Sequence, residues 1–177
     1  MKILFYGAQQ AGEIVLKKLV SLGHEVIVVP DKKDEHVGPV AKELGLEMLE
    51  HDSLNSKEFL EKARALKPDL LVSCHGREII GKELLDIPSK GAINMHPCKY
   101  KYPGARPIKR MLEGGEKRAS VAVHCMTEEV DKGETICELF LDVEGAGTEE
   151  EVYKLLYPLY KDAIEKALDE LNSQQKD

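Results

Sequence analysis

The chain has 177 residues, 42% of them hydrophobic, with 25 Lys and Arg against 32 Asp and Glu and a formal net charge of -7. That length suits one α/β domain or a little more with its own core, and the acidic balance argues against a general polyanion binder while leaving room for a local basic patch. No apolar run approaches the roughly 18 residues of a membrane span, no export signal is visible, and the four cysteines include no CxxC pair, so the expectation is a cytoplasmic protein that does not engage a membrane.

Residues 2–6 form an apolar strand ending at Gly7, and Ile14, Val15, Leu19, Val20 and Leu22 then mark one face of a helix stopped by Gly23. Residues 25–29 are a β-branched strand closed by Pro30 and Asp31. Val40, Ala41 and Leu44 mark a helix ending at Gly45, residues 46–49 suggest a short strand, and Phe59, Leu60, Ala63 and Leu66 mark a helix that stops before Pro68. Residues 69–73 read as a buried strand, residues 82–85 as a short helix and residues 91–94 as a further strand. Residues 121–126 and 135–143 are two late strands, one of them antiparallel. From Thr148 a long amphipathic helix begins, with Thr148 as its cap, Glu149, Glu150 and Glu151 in its first turn, and Pro158 placed to kink or divide it. Residues 172–177 read as a frayed polar tail.

Strands alternating with helices in this way predict a doubly wound, mostly parallel α/β sheet of Rossmann-like form, with a late antiparallel strand and a long carboxyl-terminal helix, all within one domain over 1–177. Ligands of such sheets bind beyond the carboxyl ends of the strands. The segment MHPCKYKYPGARP, residues 95–107, leaves the 91–94 strand at that edge.

Asn94, His96 and Asp131 are a sufficient set for acyl transfer to an amine: an amide donor for a developing oxyanion, an imidazole to donate or move a proton, and a carboxylate to orient it. On the residues alone, a strand-end Asn and His serve as turn and capping groups as readily as catalytic ones. Cys74-His75-Gly76-Arg77 reads first as a surface loop. His96 with Cys98, and His124 with Cys125, lack the two-pair spacing of a structural zinc site, so no metal is expected. The Gly7-to-Gly12 turn has neither a dinucleotide nor a P-loop pattern.

GAINMHP, then PGARPI, VAVHCM and EEVDKGETI, together resemble the catalytic domain of the folate-dependent formyltransferases, over about residues 1–143. That family includes methionyl-tRNA, glycinamide ribonucleotide and sugar N-formyltransferases and formyltetrahydrofolate hydrolase. Its members carry Asn-x-His-Pro or Asn-x-His-Gly at a strand end and an Asp in a D-x-G loop, matched by Asn94, His96, Asp131 and Gly133. The resemblance implies 10-formyltetrahydrofolate as formyl donor and attack by an amine through a tetrahedral intermediate held by Asn94 and protonated His96, with Asp131 keeping the imidazole charged. It also implies that the backbone of Arg77, Glu78, Ile79 and Ile80, and of Met126, Thr127, Glu128 and Glu129, holds the pterin. Gln9, Gln10, Lys99, Gly104 and Arg106 would face the acceptor, and Cys98 would be accessible in the same cleft.

The chain departs from the family pattern at Cys98 to Pro103, where many members carry Ser-Leu-Leu-Pro. The GAQQAG turn is closer to the methionyl-tRNA branch, yet no carboxyl-terminal tRNA-binding barrel is expected from these residues, and tRNA recognition by this chain alone is not expected either. A small amine, an amino sugar or a phosphorylated amine is the expected acceptor. Lys99, Lys101, Arg106, Lys109, Arg110, Lys117 and Arg118 form either a phosphate-binding cluster or a solvated face. The alternatives to transfer are hydrolysis of formyltetrahydrofolate and a non-catalytic folate or nucleotide sensor. The apolar stripe of the last helix fits its own sheet or a second copy, so a homodimer is a further expectation.

Overall fold

The structure is a computed structural model, and it describes residues 1–173. Six strands make one sheet in the order β2-β1-β3-β4-β5-β6, from β1 (Lys2–Gly7), β2 (Glu25–Pro30), β3 (Leu70–Cys74), β4 (Ala92–Pro97), β5 (Arg118–Cys125) and β6 (Thr135–Asp142). The helices are α1 (Gln9–Ser21), α2 (Val37–Glu43), α3 (Lys57–Leu66), α4 (Lys82–Leu85), α5 (Pro107–Glu113) and α6 (Glu149–Ser173). The first four strands are parallel; β5 runs against β4, and β6 runs against β5. One strand, β5, therefore opposes the rest, as the sequence predicts.

The period of two along β1 sorts its side chains onto two cores. Ile3 and Phe5 pack with α1, α2, α5 and α6 on one face, and Leu4 and Tyr6 pack with α3 and α4 on the other. Burial on both faces is why β1 to β3 read as nearly unbroken apolar runs. Because the chain leaves β1 for β2 on one side and returns to β3 on the other, the winding direction reverses between β1 and β3, and a crevice opens there at the strands' carboxyl ends.

Three expectations change in detail. Residues 46–49 contribute a single parallel bridge, Met48 to Val28, rather than a strand. The strand expected over 91–94 runs on to Pro97, because β5 continues to pair with it at His96 and Pro97 after the ladder to β3 ends at Met95. Asn94 and His96 thus lie two apart within one strand. α6 runs through Pro158 undivided, with the proline on its exposed face, where water can take the carbonyl that proline leaves unpaired.

α6 starts in a capping box: Thr148 Oγ1 accepts from Glu151 N–H at 3.2 Å, and Glu151 Oε2 accepts from Thr148 N–H at 3.1 Å and Gly147 N–H at 2.8 Å. Its stripe of Val152, Leu156, Tyr160, Ala163, Ile164, Ala167 and Leu168 is buried in the chain's own core. Each large apolar side chain so buried stabilises the fold by about 2 kcal/mol. Of the expected polar tail, Asn172 and Ser173 close α6, and residues 174–177 lie outside the described residues.

Candidate active site

A cavity of about 550 Å³ opens at the carboxyl ends of β1, β3 and β4. Its walls come from the β1–α1 turn, the loop after β3, the end of β4, the 104–107 loop, the end of β5, the 126–131 loop and the first turn of α6. Asn94, His96 and Asp131 line it together. Residues 37 apart in sequence meet because β5 pairs antiparallel with β4, setting His124 opposite Asn94 and Ala122 opposite His96, and the loop after β5 then folds back so that Asp131 reaches His96 and Gly104.

Asp131 is gripped on both carboxylate oxygens. Oδ2 accepts from Gly104 N–H at 2.8 Å and lies 3.1 Å from His96 Nε2, while Oδ1 lies 3.4 Å from His124 Nε2. Burial works to raise its carboxyl, but the bonds from His124, His96 and Gly104 prevail and hold it well below the usual carboxylate range. His96 Nδ1 lies 2.8 Å from the Pro97 carbonyl, and its Nε2 lies 3.1 Å from the Gly104 carbonyl as well as from Asp131. Both ring nitrogens of His96 therefore face oxygen acceptors.

Two close approaches shape this corner. A Cβ on Gly133 would stand 1.8 Å from the Cys125 carbonyl oxygen, so only glycine lets the Asp131 loop fold back on β5. A Cβ on Gly76 would stand 2.1 Å from Cε1 of Tyr6. The Tyr6 hydroxyl sits beneath that loop, accepting from Arg77 N–H at 3.1 Å and Glu78 N–H at 2.9 Å and donating to Asp31 at 3.0 Å. Those two N–H groups are thereby engaged within the chain.

Most of the other residues singled out from the sequence line the same cavity: Arg77, Glu78, Ile79 and Ile80 on one side, Met126, Thr127 and Glu128 on another, and Gln9, Gly104 and Arg106 elsewhere on its wall. Gln10, Lys99 and Glu129 are not in its lining. Gln10 is exposed on α1, Glu129 is exposed with its carbonyl accepting from Thr127, and Lys99 reaches away to the Gly133 carbonyl at 3.1 Å and Thr135 Oγ1 at 3.0 Å, clasping the Asp131 loop from outside. Cys98, expected to be accessible, is fully buried: its φ of 54° turns the side chain into the core, where Sγ lies 3.6 Å from Met111 Sδ. Three of the seven cations of the basic cluster pair with carboxylates, Lys101 with Glu116, Lys109 with Glu113 and Lys117 with Glu144, while Arg110 caps the Tyr102 and Pro103 carbonyls.

A formyl transferase family model matches residues 1–168. The chain belongs to the formyl transferase family. It is 30% identical to methionyl-tRNA formyltransferase of Thermotoga neapolitana over 185 aligned positions, an overlap of 98% of this chain and 59% of that protein. The chain thus spans about three fifths of the length of the curated relatives it matches. Among solved structures, phosphoribosylglycinamide formyltransferase of Bacillus halodurans superposes with a TM-score of 0.84 at 18% identity, covering 99% of this chain and 97% of that one. A sugar N-formyltransferase from Shewanella superposes with a TM-score of 0.78 at 19% identity, covering 98% and 71%. At such identities the likeness is one of fold, and the Rossmann-like formyltransferase architecture is shared.

Within this formyl transferase fold, sequence reasoning missed His124, His75, Tyr153 and Glu149, all of which line the cavity. His124, 2% exposed, anchors Nδ1 on the Cys125 carbonyl at 2.8 Å, and its Nε2 lies 3.4 Å from Asn94 Nδ2. A polar residue on the face of β5 that otherwise carries Ser120 and Ala122, seven residues before the D-x-G aspartate, was the available signal. Among the described residues, no group of three or more His, Cys, Asp or Glu is arranged to hold a metal, and no helix is long and apolar enough to cross a membrane.

Proposed function

We propose that the chain transfers a formyl group from 10-formyltetrahydrofolate to a small amine, with Asn94, His96 and Asp131 at the reacting centre. The observation that carries this reading is the placement of a buried, ionised Asp131 between His96 and the Gly104 loop, beside Asn94, in one cavity at the sheet's carboxyl edge. The donor brings a formyl carbonyl. Asn94 supplies a neutral N–H donor to its oxygen as negative charge develops there, and His96, lining the same cavity, moves a proton at that centre. Asp131 orients the His96 imidazole through Nε2 and lies within reach of a proton leaving the amine.

The cavity suits the donor. Ile79 and Val130 are 68% and 56% exposed, the most exposed large apolar side chains of the described residues, and both border the cavity with Ile80 and Met126. Apolar side chains left open at a cleft fit a flat ring laid between them. A small acceptor is favoured over a nucleic acid because three of the cluster's seven cations already face carboxylates, which weakens the positive stripe a polyanion needs.

An absorbance assay of 10-formyltetrahydrofolate conversion, with and without a panel of primary amines, tests the reading. Turnover that needs an amine supports transfer; turnover at the same rate without one replaces it with hydrolysis; tight folate binding with no turnover under any amine favours a sensor.

A further inference from the structure

We propose that the acceptor end of this cleft is read by the carboxamide N–H groups of Gln9, aimed by a hydrogen-bond chain that runs from Tyr160 through His75, so that the chain selects amines carrying a hydroxyl or carbonyl oxygen beside the reacting nitrogen. This rests on the formyl-transfer reading above and assigns its acceptor class.

The direction of the chain follows from counting donors. Tyr160 is fully buried on α6, and burial pushes its phenol well above the ordinary value, so it stays O–H. The one hydrogen-bond partner of that hydroxyl among the described residues is His75 Nε2, at 2.6 Å. A buried hydroxyl hydrogen needs an acceptor, so Tyr160 donates and Nε2 accepts. Burial, reinforced by the charge of nearby His96, pushes the His75 imidazole down to about 4. A neutral imidazole that accepts at Nε2 carries its hydrogen on Nδ1, which lies 3.0 Å from Gln9 Oε1. With its oxygen so engaged, the Gln9 carboxamide turns its nitrogen, and two N–H donors, toward the cleft that it lines.

The backbone supports a functional reading of this pair. Gln9 and His75 have φ of 62° and 58°, in the left-handed region that side chains avoid, and they meet across the reversal point between β1 and β3. Such strain persists only where surroundings enforce it, and it concentrates at functional sites. Here the surroundings are explicit: Gln9 N–H donates to Asp34 Oδ1 at 2.6 Å, and the His75 ring is wedged between Tyr153 and Tyr160, each 5.6 Å away between ring centroids. A pre-aimed amide donor is matched by an oxygen acceptor on the ligand, and a ligand lacking that oxygen leaves the donor unpaired.

The test uses nitrogen-15 NMR of the full chain with histidine and glutamine side chains labelled, titrated separately with glucosamine and with cyclohexylamine, a six-membered ring amine without oxygen. The proposal expects the Nδ1–H tautomer of His75 at pH 7, its loss in Tyr160→Phe, and Gln9 side-chain shifts on adding glucosamine only. Gln9→Leu, at an exposed position, should weaken glucosamine binding by about five-fold, the value of one neutral hydrogen bond, and leave cyclohexylamine unchanged. An Nε2–H tautomer in the wild type, equal responses to the two amines, or no Gln9 response to glucosamine would each overturn it. Binding is read without turnover, so an enzyme inactive on 10-formyltetrahydrofolate that keeps these responses would sink the formyl-transfer reading and leave the oxygen-reading subsite standing.

Discussion

His124 Nε2 lies 3.4 Å from Asp131 Oδ1, on the carboxylate oxygen opposite the one that faces His96. Asp131 is thereby held from two sides, and the same imidazole nitrogen lies 3.4 Å from the Asn94 amide. One buried histidine nitrogen thus sits between two of the three residues proposed to act on the formyl group, able to bond one of them at a time.

Replacing His124 with alanine should lower the turnover number by about 10- to 100-fold, the loss expected when a partner of a buried charged group is removed, with little change in the Michaelis constant for the folate donor. Steady-state kinetics with a parallel melt will check this. A turnover loss with an unchanged melting temperature identifies His124 as a positioning residue, and wild-type turnover would refute that role.

Asp131 couples stability to pH. Its carboxyl is held below the ordinary range in the folded chain, so its contribution is fully present above the unfolded value of about 3.9 and is lost as pH falls through the folded one. Urea unfolding should therefore weaken more steeply below about pH 4 in the wild type than in Asp131→Asn. At pH 7 the same substitution should cost about 3 kcal/mol, because a buried charged acceptor of the contacts from His96, His124 and Gly104 is lost. Parallel pH profiles of the two proteins would contradict the coupling.

Gly133→Ala should disable the site without touching a reacting group. The new methyl would meet the Cys125 carbonyl at 1.8 Å, so the loop carrying Asp131 must move. Activity should fall at least about 100-fold, since a displacement of about 1 Å at the reacting centre is that costly. An alanine variant with native rates would show that the loop accommodates the methyl elsewhere.

Thiol chemistry should report the fold and not the cleft. Cys98 and Cys74 are fully buried, with burial pushing both thiols up, Cys137 is 6% exposed, and Cys125 is half-buried. An aromatic disulfide reagent should label Cys125 first in the native protein and all four cysteines after unfolding. Labelling of Cys98 in the native state would contradict its placement against Met111.

The sheet was legible in the sequence where burial alone determines it. β1, β2 and β3 are covered on both faces, so their apolar runs and the Gly, Pro and Asp that close them suffice to find them. The length of β4 was not legible, since Met95 to Pro97 become strand only through pairing with β5. Asn94, His96 and Asp131 could be named from their motif, and the sheet register brings them together. His75 and His124 could not, because their roles depend on contacts across the fold, with Tyr160 on α6 and with Asp131 beyond the end of β5. Cys98 misled for a local reason: proximity to His96 in sequence suggested a shared cleft, and one left-handed residue reverses the direction of the side chain.

The most direct test of the central claim is the rate of 10-formyltetrahydrofolate conversion by wild type and His96→Ala, measured alongside donor binding by tryptophan-free ligand fluorescence. The reading predicts that both proteins bind the folate and that the variant turns it over at least about 1,000-fold more slowly, the loss expected for a proton-transfer group at the reacting centre. Turnover by His96→Ala at the wild-type rate would show that the chemistry is done elsewhere.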